Sequence, residues 1–228
     1  MSRPVNNQKG FTILELLIAT MVFSVIFLGV TTALIQLSKL YYKGVVSGRT
    51  QELTQGATDQ LAQQLQFSDA SFSKAGPTTF TVSGTPLQFS AVCIGNTRYS
   101  YAINTQVNDT IADKTYDSAK SRLRHALWRD TMPTGGLCAP ADLSAISPSS
   151  ATNKGEEVLG KNMRLSDFAV DCNDLTNICK ISIGIIYGDN DLLEYNASGL
   201  PVKCQTIIGN QWCATTKFTT TVLRRVRS

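Results

Sequence analysis

The feature that most constrains this chain is an uncharged run of twenty residues, 16–35, close to its N-terminus. As a helix rising 1.5 Å per residue, the run would be about 30 Å long, which is the thickness of the hydrocarbon core of a bilayer. Arg3 and Lys9 precede it, and positive charges favour the cytoplasmic side. The sequence therefore predicts a membrane helix with the remaining chain outside the cytoplasm.

The cysteines all follow this apolar run, as expected for a domain exported to an oxidising compartment. No C-x₂-C pair is present, so disulfides are favoured over a zinc site. Six cysteines allow fifteen pairings, but the shortest loops close most easily. This argument favours two short loops and a remaining pair: Cys172–Cys179, Cys204–Cys213 and Cys93–Cys138.

A carboxylate, Glu15, lies at the edge of the apolar run, where a charge is costly and usually has a partner. A secretory signal peptide is cut after its apolar stretch at a small-residue site, and the residues after Leu37 offer none. Instead, Lys9 and Gly10 precede a Phe-Thr-Ile-Leu-Glu segment that starts at Phe11 and ends at Glu15. This pattern resembles the cleavage and methylation signature of type IV prepilins and type II secretion pseudopilins.

The resemblance implies a role for each residue of the pattern. A membrane aspartyl peptidase would cut between Gly10 and Phe11 and methylate the new N-terminal residue, Phe11. Glu15 would neutralise the N-terminal amine of a neighbouring subunit during assembly. The alternative is a plain single-pass anchor in which this spacing is a coincidence.

The pattern predicts one long helix from about Thr12 to about Phe67, which includes the membrane run and continues beyond it. No proline interrupts this stretch, and the residues between its apolar positions are polar, among them Gln51, Glu52, Thr58, Asp59, Gln60, Gln63 and Gln64. An apolar stripe at helical spacing is expected to pack on a sheet; it consists of Leu53, Ala57, Leu61 and Leu65, with Ala62 beside them. A local break, a close helix contact or simple tolerance would explain the glycines Gly44, Gly48 and Gly56.

After Phe67 the pattern changes to short β-type runs separated by turn residues. Strands are predicted at residues 79–82, 87–93, 98–104, 121–129, 165–170, 180–187 and 217–226. In the second of these, Leu87, Phe89, Ala91 and Cys93 would share one face. Residues 130–160, rich in small and turn-forming types, are predicted to be a long loop held by Cys138.

These elements predict an α+β fold in which a long N-terminal helix packs on a mostly antiparallel sheet, the arrangement that the resemblance also implies. Three segments are expected: a cytoplasmic leader at residues 1–10, a helix at 11–67 whose first half, about 11–37, spans the membrane, and an extracytoplasmic β-rich domain at 68–228 with disulfide-bearing loops.

Little in the β-rich part points to catalysis. His125 is the only histidine, flanked by arginines, and G-x-S-x-G does not occur, so an enzyme is not expected. No cofactor is predicted. The net charge of +4 is modest, and the C-terminal arginines Arg224, Arg225 and Arg227 are interpreted as a solvated chain end rather than a nucleic-acid site.

One acidic segment is a weak candidate for a metal site. Asp189, Asn190 and Asp191 carry oxygen ligands of the kind that calcium takes, but a hairpin turn after Tyr187 is the favoured interpretation. The segment Asp171-Cys172-Asn173-Asp174 is likewise attributed to the closing of a small loop.

The resemblance implies a structural subunit of a type IV pilus-like filament, and the length and cysteine-bearing loops favour a minor pilin. A pseudopilin of a type II secretion or DNA-uptake machine is the alternative, and a membrane-tethered adhesin or enzyme is a third hypothesis. The implied partners are other pilin or pseudopilin subunits, prepilin peptidase and an inner-membrane assembly platform. The subunit would be a single-pass membrane protein first and part of a cell-surface or periplasmic filament afterwards.

Overall fold

The chain forms two units, Met1–Tyr42 and Lys43–Ser228, whose boundary falls inside its long helix. The computed structural model describes residues 10–67, 71–82, 85–107, 125–132, 135–141, 155–173, 175–197, 199–205 and 209–225. The first unit is helical from Ile13 onward, and the second unit contains the remainder of the helix and the strands.

The helix α1 runs from Ile13 to Phe67, which confirms the single long helix that the pattern predicts. It is unbroken at its glycines: a Cβ atom built on Gly44, Gly48 or Gly56 would meet nothing within 4 Å. Tolerance therefore explains these glycines, since no other segment of the described chain approaches them closely. The buried positions recur at helical spacing: Thr50, Thr54, Ala57, Thr58, Leu61 and Leu65.

The described residues form ten strands and two short 3₁₀ helices. The strands are β1 (Phe72–Val82), β2 (Thr85–Ile94), β3 (Thr97–Tyr101), β4 (Leu127–Thr131), β5 (Gly155–Glu157), β6 (Met163–Asn173), β7 (Ile178–Tyr187), β8 (Leu193–Tyr195), β9 (Pro201–Cys204) and β10 (Ala214–Leu223). The 3₁₀ helices are η1 (Asn190–Leu192) and η2 (Asn210–Trp212).

The strands pair antiparallel in three sheets, in the orders β1-β2-β3-β4-β5, β10-β7-β6 and β8-β9. A parallel bridge between Ile103 and Leu165 connects the five-stranded and three-stranded sheets. Beside this bridge, the Asn104 amide donates to the Leu165 carbonyl at 2.9 Å. The architecture is α+β with antiparallel sheets, as predicted.

Several predicted strand limits differ from those observed. The strand predicted at 121–129 begins only at Leu127 and reaches Thr131, while residues 121–124 lie outside the described part. The predicted loop at 130–160 contains β5 and the end of β4. β3 ends at Tyr101 rather than residue 104, and β10 ends at Leu223 rather than residue 226. β8 and β9, short and poor in β-branched residues, were not predicted.

The main core lies between the C-terminal half of α1 and the two larger sheets. Leu61 and Leu65 of the predicted stripe are fully buried there, together with Ile181, Ile183 and Ile185 of β7. Leu53 and Ala62 are partly buried against the same cluster. The stripe therefore packs on the sheets as predicted.

Strand β2 is buried on both of its faces. Val92 and Ile94 join the main core, whereas Phe89 and Leu87 belong to a second cluster with Trp128. A strand covered on both faces loses the simple apolar–polar alternation that marks a half-exposed strand. The sequence indicated only the face that contains Phe89.

Two residues assigned to the polar face of α1 are in fact inside. Thr58 is completely buried, and its hydroxyl donates to the Thr54 carbonyl at 2.7 Å. Gln64 is partly buried and accepts a hydrogen bond from the Tyr99 hydroxyl at 2.9 Å. Burial raises the pKa of this tyrosine, which keeps it a neutral donor. A polar side chain that satisfies itself locally can face the core, so polarity alone misplaced these residues.

Candidate processing and assembly site

The segment Gly10–Thr12 lies outside regular structure, immediately before α1. Gly10 is exposed, and the side chain of Phe11 is 81% exposed. Exposed, irregular backbone is the form in which chains are most readily cleaved. The predicted scissile bond between Gly10 and Phe11 is therefore open to a peptidase in this structure.

Thr12 is the N-cap of α1. Its hydroxyl oxygen accepts a hydrogen bond from the Glu15 amide at 3.3 Å, and its carbonyl accepts the Leu16 amide at 3.2 Å. Thr and Glu three residues apart form the sequence pattern of a capping box. Cleavage before Phe11 would leave this cap intact, because both of its residues follow the scissile bond.

Glu15 lies in the first turn of α1, where the helix dipole favours a negative charge. Its carboxylate makes no hydrogen bond or ion pair with any residue in the described part of the chain. An unpaired carboxylate beside an apolar surface is unfavourable in a bilayer. The helix start is thus capped, and Glu15 has no cationic partner among residues 10–67 or the other described segments.

The helix surface after Glu15 is apolar and exposed. Phe23 and Phe27, for example, are 67% and 58% exposed. By length and composition the helix can cross a membrane, since its most apolar window has a mean hydropathy of 2.5. The hydroxyls within it are satisfied locally: Ser24 donates to the Thr20 carbonyl at 2.7 Å, and Thr32 to the Leu28 carbonyl at 3.0 Å.

The six cysteines form the disulfides Cys93–Cys138, Cys172–Cys179 and Cys204–Cys213. This is the connectivity that the loop-length argument favours. Cys172 and Cys179 are direct partners across β6 and β7, which closes the small loop at residues 173–178. Cys138 joins an irregular segment to Cys93 of β2.

The acidic segment after β7 is a short 3₁₀ helix rather than a hairpin turn, because β7 pairs with β6 and β10 and not with β8. The Asn190 side-chain oxygen accepts a hydrogen bond from Arg164 at 2.7 Å, and an Asp189 oxygen accepts one from Gln106 at 3.1 Å. A guanidinium at this oxygen competes with a bound cation. In the described residues, no group of three or more His, Cys, Asp or Glu side chains could hold a metal ion.

Arg164 is a buried charged residue that the sequence pattern did not indicate. It is 2% exposed, and its guanidinium donates to Asn104, Asn190 and the Gly188 carbonyl. Burial lowers its pKa from the usual value of arginine. Its three acceptors lie on segments remote from it in the chain, so Arg164 joins the loop after β7 to the segment after β3.

His125 is also buried, and its nearest charged partner is acidic rather than an arginine. Its Nδ1 lies 3.2 Å from Glu157 Oε2, and Glu157 also accepts the amides of Ala126, Leu127 and Leu159. In the described residues, His125 Nε2 has no hydrogen-bond partner. Glu157 therefore organises the backbone around the start of β4, a structural role for which its position in the sequence gives no signal.

An open groove of about 570 Å³ lies beside β4 and β5. Its charged groups are paired: Arg129 with Glu156, and Asp130 with Arg98, whose Nε is 2.8 Å from Asp130 Oδ1. These pairs leave neither acid of the groove as an uncommitted general base. The groove has a polar lining without a recognisable catalytic arrangement.

Arg224 and Arg225 contact the domain, and Arg225 remains exposed to solvent, as expected. The Arg224 amide donates to the Asn177 carbonyl at 2.7 Å, and the Arg225 guanidinium lies over the ring of Phe67 at 5.6 Å. Arg227 lies outside the described residues. Arg224 and Arg225 thus lie where α1 ends and β6 turns into β7.

A family model described as the prokaryotic N-terminal methylation motif matches residues 5–31. No curated protein and no solved structure matches the chain significantly. The matched range contains Gly10, Phe11 and Glu15, together with most of the exposed apolar run that follows.

Proposed function

Since this chain carries a prepilin-type N-terminal methylation motif, we propose that it is a structural subunit of a type IV pilus-like filament, and specifically a minor pilin. The single observation that carries the proposal is the motif at residues 5–31, which directly precedes and enters a long apolar helix. The open Gly10–Phe11 bond, the capped helix start and the unpaired Glu15 support it.

Processing would begin with cleavage between Gly10 and Phe11 by prepilin peptidase. The cut creates a new α-amine on Phe11, and methylation of that amine leaves it able to carry a positive charge. The cut also removes Arg3 and Lys9, the positive charges that favour the cytoplasmic side. The product is a helix that begins with a cation and carries one carboxylate, Glu15, a turn later.

Assembly would then supply the missing partner of Glu15. In the bilayer this carboxylate has no counter-charge among the described residues, so pairing it with the Phe11 amine of a neighbouring subunit removes a large desolvation penalty. The exposed apolar side chains of the run would exchange lipid for contacts with neighbouring helices. An inner-membrane assembly platform would bring the subunits together.

The β-rich unit would face the extracytoplasmic side. Three disulfides support this topology, because such bonds form and persist in oxidising compartments. The C-terminal half of α1 packs against the sheets of this unit.

The proposal is tested with Glu15→Ala and the matched control Glu52→Ala, which changes an exposed glutamate of α1 within the β-rich unit. We expect N-terminal mass spectrometry to find methylated Phe11 in both proteins. Incorporation of Glu15→Ala into filaments should fall about tenfold or more, because it leaves a neighbouring amine unpaired in an apolar site. Glu52→Ala should assemble normally.

Three results would contradict the proposal. A chain that retains residues 1–10, or that is cut after Leu37, is not processed as a prepilin. Normal incorporation of Glu15→Ala would show that its carboxylate has no part in assembly. Loss of a secreted substrate without any loss of surface filaments in a deletion strain would replace the pilus with a secretion pseudopilus.

A further inference from the structure

Asparagine followed two positions later by serine or threonine occurs twice in this chain, at Asn108 and at Asn196. With any residue except proline between them, this spacing is the acceptor pattern for N-linked glycans in exported proteins. The intervening residues are Asp109 and Ala197, so both sites satisfy the pattern. The two sites differ in the residue that stands two positions before the asparagine.

Glu194 stands at that position before Asn196, whereas the other site has Gln106. The methylation motif of this chain is prokaryotic, and bacterial enzymes that attach N-linked glycans favour an acid at this position. A carboxylate there can pair with a cation of the enzyme. Glu194 pairs with Lys203 of β9 at 3.1 Å, but the two side chains are 41% and 61% exposed. Exposed ion pairs contribute little free energy, so Glu194 can exchange this partner for another.

Asn196 is the first residue of the turn that joins β8 to β9. The Gly199 amide donates to the Asn196 carbonyl at 3.0 Å, which closes a β-turn. The Asn196 side-chain oxygen accepts a hydrogen bond from the Leu200 amide at 2.9 Å. This bond holds the side chain by its oxygen, whereas a glycan is attached to the amide nitrogen. Ser198, which completes the acceptor pattern, lies outside the described residues.

The tip of this hairpin is exposed to solvent. The exposed residues are Tyr195, Asn196, Ala197, Gly199 and Leu200. β8 and β9 form a sheet of two strands, and such a sheet is marginally stable by itself. The Asn104 side chain donates to the Gly199 carbonyl at 3.2 Å, a bond that opening of the tip would break. An enzyme can therefore reach the acceptor segment through local opening, without unfolding of the larger sheets.

We propose that Asn196 is the acceptor of an N-linked glycan on the extracytoplasmic side of the membrane. The inference rests on the proposed topology, because enzymes of this class act outside the cytoplasm. The donor is an oligosaccharide linked to a lipid through pyrophosphate. The Asn196 amide nitrogen attacks the anomeric carbon of the first sugar, and the bond between this carbon and the phosphate oxygen breaks. The lipid pyrophosphate leaves with the electron pair, and the nitrogen loses one proton to a base of the enzyme.

A glycan at this position changes the surface of the hairpin tip. Tyr195 and Leu200, close to Asn196 in the chain, are 41% and 38% exposed. A hydrophilic chain on Asn196 would cover these apolar side chains and keep the tip solvated.

The test is mass spectrometry of the full chain purified from its native membrane. Trypsin, which cuts after lysine and arginine, releases Asn196 within the peptide 181–203. We expect this peptide to carry the added mass of a chain of sugars, and fragmentation to place that mass on Asn196. Asn196→Gln and Ser198→Ala should each abolish the added mass, whereas Ser198→Thr, which keeps the hydroxyl, should retain it. Asn108→Gln is the matched control and should leave the peptide 181–203 unchanged.

The state of the N-terminus separates this inference from the proposed function. A chain that begins with methylated Phe11 but has an unmodified peptide 181–203 would overturn the inference and leave the proposed function intact. Sugars that persist in Asn196→Gln would belong to a serine of the same peptide, and the inference would fail. Sugars on Asn196 of a chain that retains residues 1–10 would support the inference and contradict the proposed function. A chain that retains residues 1–10 and carries no sugar would overturn both.

Discussion

Charged and polar residues inside the domain connect segments that are far apart in the sequence. Arg164 supplies donors to two loops at once, and removing it would take a hydrogen bond from the side-chain oxygens of Asn104 and Asn190 and from the Gly188 carbonyl. Asp167 similarly joins two strands: it accepts the Ser182 hydroxyl at 2.7 Å and pairs with Lys217 at 2.9 Å. The Asp167 and Lys217 side chains meet over Gly184, which is the register partner of both.

This cluster predicts a pH dependence. Burial alone would raise the pKa of Asp167, but the hydrogen bonds from Lys217 and Ser182 hold it below the usual value of 3.8. A carboxyl whose folded pKa is lowered stabilises the fold above its unfolded pKa, and this stabilisation is lost as the pH falls through the folded pKa. We therefore expect Asp167→Asn to lower the urea midpoint at pH 7, and the difference from wild type to shrink below about pH 4.

Lys217→Met serves as the control, since it removes the main hydrogen-bonding partner and should raise the Asp167 pKa as followed by NMR titration. A constant difference between Asp167→Asn and wild type from pH 7 down to pH 2 would show that the carboxylate charge has no part in stability.

At the scale of elements, α1 follows its sequence closely, whereas the strands depend on their neighbours. The stripe around Leu61 and Leu65 is buried as its spacing predicts, because helical periodicity is a local property. β2 instead has apolar partners on both faces, and β4 starts where Glu157 binds the amides of Ala126 and Leu127. Such partners come from other parts of the chain, so strand limits deviate more than helix limits.

Glycine substitutions separate these two kinds of element. In Gly56→Ala the added Cβ meets nothing within 4 Å, so we expect the helix to gain about 0.5–1 kcal/mol of stability. In Gly155→Ala on β5 the Cβ would lie 2.5 Å from the Trp128 ring, so we expect a loss of about 1–3 kcal/mol. Urea unfolding of both variants in detergent, followed by circular dichroism, measures the two effects.

A destabilised Gly56→Ala variant would mean that this helix face has a close contact in the detergent-solubilised protein. An unchanged Gly155→Ala variant would mean that the Trp128 ring moves aside at no cost.

At the scale of the whole molecule, disulfides fasten the irregular parts of the β-rich unit to its sheets. Cys93–Cys138 closes a long loop, and its sequence separation is 45 residues. Cys172–Cys179 spans only 7 residues whose ends are already paired across β6 and β7. Long loops lose more conformational freedom when they are closed, so the two bonds should differ in their contribution.

Removal of each disulfide by a pair of alanine substitutions tests this difference. Loop entropy gives a loss of about 4 kcal/mol for Cys93→Ala with Cys138→Ala, and about 2.5 kcal/mol for Cys172→Ala with Cys179→Ala. The two pairs are well matched, because each contains one fully buried and one partly exposed cysteine. Urea unfolding of the two double variants measures both losses of stability. A larger loss for the Cys172–Cys179 pair than for the Cys93–Cys138 pair would contradict the entropic argument.

Most of what concerns the N-terminal segment could be predicted from the sequence. The uncharged run, the charges before it and the spacing from Gly10 to Glu15 are local patterns, and each is read within a few helical turns. They predict a membrane helix, a cleavage position between Gly10 and Phe11 and an extracytoplasmic domain. The matched methylation motif covers this same segment.

In the β-rich unit, local sequence patterns did not predict which polar side chains are buried. Thr58 is fully buried and Gln64 is partly buried, although both belong to the polar positions of the helix pattern. In each of these cases a polar group finds its partner either on its own helix or on a distant element, and neither outcome is visible in its residue type.

The sequence by itself thus determined that this chain has an N-terminal methylation motif, an apolar helix of bilayer length and a cysteine-bearing β-rich domain. Only the tertiary structure decided which polar side chains enter the core, where Arg164 and Glu157 act, and that Asn210 of η2 lies beside Lys43. The physical reason is the distance along the sequence over which each property is determined. Helix periodicity and hydropathy depend on neighbours within a few residues, whereas burial and hydrogen-bond satisfaction depend on residues that the fold brings together from distant positions.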